Sequence, residues 1–125
     1  MNNQARILLF KMNNDRQRSI EGLCRSLSIK TIYIKQASYL QNMGYLAGIS
    51  GFSKNSTIYS GSDFDKEMLV FSGMDSDLTD RFLAAFRQAG LPPVDLKAVI
   101  TPTNIFWTPI KLYEELMKEH KSIIS

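Results

Sequence analysis

Lys97 is the residue whose setting most invites chemistry. It interrupts an apolar run, Leu96 to Ile100, and leads into a loop that carries Thr101, Thr103, Asn104 and Trp107. A lysine held among apolar neighbours binds an anion or is tuned for chemistry. Asn104 and Trp107 would supply polar and aromatic walls beside it. Lys97, Thr101, Asn104 and Trp107 are therefore the candidate ligand-binding residues, with no catalytic residue, metal ligand or cofactor assigned. A structural reading competes with this one. An edge-strand lysine lays its stem along the sheet and reaches water, a loop asparagine closes turns, and Trp107 precedes a helix start where it would staple onto Leu112.

Other chemistry-bearing residues argue for less. His120 is the sole histidine and has no partner at a spacing that suggests a nucleophile and base. Cys24, the only cysteine, lies on an apolar helical stripe and reads as a small buried hydrophobe. The acids Asp63, Asp65 and Glu67, and Asp75, Asp77 and Asp80, lack the calcium-loop pattern. Neither phosphate-binding glycine signature occurs.

These residues hang on two similar segments. Ile7 to Phe10 and Met68 to Phe71 are uninterrupted apolar runs, the mark of strands buried on both faces. Each is followed by a polar loop and an amphipathic helix. The first helix has Asn14 and Gln17 as a capping pair and Ile20, Leu23, Cys24 and Leu27 as its stripe; the second is capped at Asp75 or Ser76 and stopped by Gly90 and Pro92. Strands at 31–34 and 96–100 complete two β-α-β units, residues 5–35 and 67–101. Ile20, Cys24, Leu27, Ser28 and Ile29 align with Phe82, Phe86, Ala89, Gly90 and Leu91.

Between the units, residues 36–66 read as a short helix within Ala37 to Ala47 and a long loop, with an extra strand at Thr57 to Tyr59. Thr108 and Pro109 then open a final helix, 109–123, whose stripe is Leu112, Tyr113, Leu116, His120 and Ile123. The expected fold is a single α/β domain over residues 1–125: a four-stranded, mostly parallel sheet of order 2-1-3-4 with helices on both faces. The alternative is a ferredoxin-like α+β sheet with two added helices. A parallel sheet would gather the loops after all four strands at one edge, where open α/β sheets bind ligands.

Composition bounds the partners. The 125 residues are 44% hydrophobic and 22% charged, with a net charge of +3, and the basic residues are dispersed rather than clustered as a nucleic-acid footprint requires. No nucleic acid is expected. The start lacks signal-peptide architecture, no apolar run is long enough to span a membrane, and a lone cysteine suits a reducing compartment, so the expected setting is cytoplasmic.

Glu67 to Phe71, the string Leu96 to Asn104, Trp107 and the Leu112 to His120 helix resemble a bacterial domain-of-unknown-function family, number 3783; Gly44 to Gly48 also fits. The resemblance brings no activity or site residues with it. Three functional readings follow: a small non-enzymatic binding or regulatory module for a small ligand or protein, a small enzyme acting on an anionic metabolite with Lys97 and Asn104 converging in a cleft, and a self-associating domain, a homodimer through Phe106, Trp107 or the last helix.

Overall fold

The structure, a computed structural model, describes residues 4–124, with side chains through Lys121; Ile123 of the expected stripe therefore lies outside the described side chains. Every residue of Ile7 to Phe10 and of Met68 to Ser72 is buried. Strands apolar on both faces need cover on both, which places β1 (Arg6–Phe10) and β3 (Met68–Ser72) at the sheet centre. The flanking strands β2 (Lys30–Ile34) and β4 (Leu96–Val99) mix buried and exposed residues and form the edges.

The order is β2-β1-β3-β4, as expected. The β1–β2 and β3–β4 pairs are parallel, whereas β1 and β3 run antiparallel with Leu8 opposite Val70. The sheet is thus mixed. Because each β-α-β crossover joins adjacent strands, the interleaved ferredoxin-like arrangement does not form. Chain direction also decides where the loops go. Those following β1 and β2 lie at one end of the sheet, and those following β3 and β4 lie at the other, so the four polar loops do not share one edge.

Two helices cover the first face. α1 (Asn14–Ser26) and α3 (Ser76–Gln88) contribute Ile20, Cys24, Phe82 and Phe86 to a core with Ile7, Leu9, Leu69 and Phe71. Their ends match atom for atom with the sequence alignment. Asn13 Oδ1 accepts from Arg16 N and Asp75 Oδ1 from Leu78 N, both at 2.8 Å. At the other end Ser28 and Gly90 both take left-handed backbone, φ 58° and 71°, and Ile29 N and Leu91 N bond back to Cys24 O and Phe86 O. The first cap is Asn13 rather than Asn14. Gln17 donates to Met12 O at 2.7 Å instead of reaching the cap amide.

The opposite face is built differently. Residues 35–67 leave β2 and enter β3 from the same sheet end, so they need not cross the sheet; they drape over it. Only a 3-10 turn (Gln36–Ser38) and a one-turn helix, α2 (Met43–Leu46), form there. The short helix expected within 37–47 is α2, which Asn42 caps through Gly44 N at 2.8 Å. Thr57 to Tyr59 forms no strand: buried Gln41 bonds Asn55 N, Asn55 O and Thr57 O at 2.9–3.3 Å, and Ile58 is left 74% exposed. Gly44 is required by close approach, since a Cβ would stand 2.7 Å from the Phe52 ring.

The last helix, α4 (Pro109–Ile124), closes this face. Thr108 caps it through Lys111 N at 3.2 Å, and Trp107 and Leu112 join the same core as Leu8, Phe10, Met68 and Val70. The rings of Tyr39, Phe64 and Tyr113 stack with 4.0 Å between successive centroids, and Tyr113 Oη accepts from Asp65 N and Lys66 N at 3.1 Å. No described helix is long and apolar enough to cross a membrane.

Candidate functional site

The amphipathic pattern of α3 leaves one side of that helix short of cover. Phe82 and Phe86 reach the sheet and Leu83 is half-buried, while Arg87 stands at the exposed last turn. Gly90 then turns the chain, and Pro92 and Pro93 carry it extended into β4. Between α3, this segment and β4 lies a cleft of about 210 Å³, floored by Leu69, Phe82, Phe86 and Val94 and bordered by Arg87 and Lys97.

Register explains why Lys97 is here. It sits opposite Leu69 in β4 and shares its face. The side chain is exposed, and its ammonium donates to Val94 O at 2.6 Å, across the cleft's own wall. Among the described residues, neither Lys97 nor Arg87 pairs with a carboxylate, although Arg18, Arg25, Arg81, Lys66 and Lys111 each do.

A further arginine fixes the adjoining wall. Arg16, only 10% exposed at its side chain, grips Glu67 through Nε and Nη2 at 2.9–3.3 Å and donates to Pro93 O at 3.3 Å. It therefore ties the first unit to the start of β3 and to the segment before β4. The remaining nitrogen, Nη1, is buried with no hydrogen-bond partner. The guanidinium carbon lies 5.5 Å from the centroid of the Phe86 ring, whose π-face offsets part of that cost. Sequence reading passed over Arg16, although it falls four residues before Ile20 on the α1 stripe, where a charge demands a buried partner.

The other three candidates do not meet Lys97. Trp107 packs on the opposite face of the sheet, where the Lys111 ammonium stands 5.2 Å from its ring centroid and Trp107 O accepts from Met43 N. Asn104 is buried, with Oδ1 accepting from Thr101 N at 2.8 Å and Nδ2 donating to Val99 O at 2.9 Å. Thr101 Oγ1 accepts from Thr103 N and Asn104 N. Asn104 is absent from the lining of the cleft that Lys97 borders.

The remaining reactive groups are apart as well. Cys24 lies in the first core, where burial, with Glu21 adding, pushes its thiol up to about 12. That thiol is protonated at neutral pH and is a packing group. Burial, and a 2.6 Å bond to Asp63, raise the Tyr39 hydroxyl above its ordinary range. His120 is on α4, which packs against the opposite face from the cleft.

All of β3, α3 and β4, and α4 through Lys121, fall within residues 67–123, which match the model of a family described as a domain of unknown function. Over residues 67–123 this chain is similar to the DUF3783 family. The matched span thus holds Lys97 and all of the cleft lining, whereas Gly44 to Gly48 lies outside it. No curated protein and no solved structure matches the chain.

Proposed function

We propose that the chain is a small non-enzymatic binding module whose ligand seats an apolar group in the α3–β4 cleft and turns a carboxylate toward Lys97 and Arg87. The observation that carries this reading is the pairing of an apolar floor with two cations that have no acidic partner of their own. At about 210 Å³ the cleft is smaller than the roughly 300–1,000 Å³ of enclosing small-molecule sites. It suits one aromatic or branched side group. Binding is favoured over catalysis because Lys97, Asn104 and His120 occupy separate places, which leaves an enzyme on anionic substrates without a converging set of groups. The buried, protonated Cys24 is in keeping with a cytoplasmic setting.

The test is an NMR titration with 4-phenylbutyrate and with its uncharged amide. Amide shifts should move at Leu83, Phe86, Val94 and Lys97 for both probes. Lys97→Met should weaken the carboxylate roughly fivefold, the worth of an exposed ion pair near 1 kcal/mol, and leave the amide unchanged. Shifts confined to other parts of the molecule, or equal losses for both probes, would remove the cleft or the lysine from the reading.

A further inference from the structure

The two edges of the sheet are not alike. In β4, Ile100 N donates to Phe71 O at 2.9 Å, which sets the parity: the main-chain groups of Lys97 and Val99 point away from β3. That edge is partly closed. Asn104 donates to Val99 O and accepts from Thr101 N, the two groups that the N–H and C=O of one residue of a neighbouring parallel strand would engage. β4 is four residues long and its outward-facing Lys97 is a charge on the edge, so the strand carries the usual protections against pairing.

β2 has a charge only at its first residue, Lys30, and no side chain closes its edge. Lys30 N donates to Ala5 O at 2.9 Å, so Lys30, Ile32 and Ile34 bond to β1 and the N–H and C=O of Thr31 and Tyr33 face outward. Among the described residues nothing hydrogen-bonds these four groups. The strand is five residues of Lys-Thr-Ile-Tyr-Ile, rich in β-branched and aromatic side chains, and Tyr33 is 44% exposed.

We infer that β2 is the pairing edge for a second copy of this chain, joined antiparallel about Ile32 into one eight-stranded sheet. The strand is complementary to itself in this register. Thr31 faces Tyr33 of the second copy and exchanges both main-chain bonds with it, and the reverse pair does the same, so all four outward groups of each copy are satisfied. Ile32 meets its own copy on the face where it already packs against the second core. Lys30 faces Ile34, so no like charges are opposed. The comparable pairing of β4, about Ala98, would need Val99 O, which Asn104 already holds.

The flank of the edge fits too. A shallow cleft of about 170 Å³ beside Thr31 and Tyr33 is bordered by Arg18 and Glu21 of α1, one charge of each sign. Both already have partners on α1, Arg18 in Asp15 and Glu21 in Arg25, so the rim brings no unpaired charge to the two-fold axis. The inference stands apart from the ligand reading of the α3–β4 cleft, which is at the far edge.

Light scattering on the full chain tests it. The native protein should run at twice the chain mass, and Ile32→Cys should cross-link to a disulfide dimer under mild oxidation. Tyr33→Pro removes an outward N–H and no β1 bond, and should give the single-chain mass. Should that variant fail to fold, the double variant Thr31→Lys with Tyr33→Lys opposes like charges across the axis and should also be monomeric. Thr31→Glu with Tyr33→Lys should restore the dimer. A native chain at the mass of one copy, or a dimer that survives the double-lysine change, overturns the inference.

Discussion

The two layers that sandwich the sheet are held by contacts of different reach. Apart from the grip of Arg16 on Glu67, the ordering bonds of the α1–α3 layer are local: caps that reach three residues, left-handed stops that reach five, and a stripe that repeats every turn. Across the sheet, the α2–α4 layer depends on partners far apart in the chain, 14 residues for Gln41 with Asn55, 24 for Tyr39 with Asp63 and 48 for Tyr113 with Asp65. Local contacts cost little loop entropy and recur in both units. Distant ones form only when the whole chain is in place.

This contrast predicts different responses to damage. Phe82→Ala empties a site at the centre of the first layer and should cost about 3–5 kcal/mol, read as a drop in the denaturant midpoint with an unchanged slope. Cys24 gives a second readout. Its buried thiol should resist alkylation in the native protein and label in step with global unfolding in the Phe82→Ala variant.

Gln41→Ala should act more locally. It removes the amide that ties down Asn55 and Thr57 and should cost about 1–3 kcal/mol. Hydrogen exchange should quicken over residues 52–60 while Cys24 labelling stays slow. If Cys24 labels as fast as in Phe82→Ala, the two layers open together and the contrast between them fails.

The smallest effect comes from Ser28, which holds the left-handed turn that Gly90 supplies in the second unit. Ser28→Gly should stabilise by about 1 kcal/mol, seen as a rise in Tm, because the serine Cβ opposes that backbone. No gain would mean that the serine is compensated by contacts its glycine counterpart lacks.

The same contrast marks what could be read in advance. Strand order, the three long helices and the Gly90 stop were legible, since apolar runs and capping residues act within a few positions. The direction of β3 was not. It depends on whether residues 35–67 cross the sheet or return to the end they left, and that is decided by Tyr39, Gln41 and Phe64 packing on distant partners. Of the site, Lys97 was legible as a charge in an apolar strand. Its separation from Trp107 was not, because the loop carries Trp107 around to the other face. Arg16 was hidden because its partner Glu67 lies 51 residues away.

The carboxamide of Asn104 has one more consequence, for the size of any assembly. A sheet with two receptive edges adds copies without limit, as fibres do. Here one edge ends in a side chain that imitates the next strand, so strand addition would stop after a single step. Exchanging that asparagine for alanine would free Val99 O and Thr101 N and shift the risk from a finite particle toward open-ended growth.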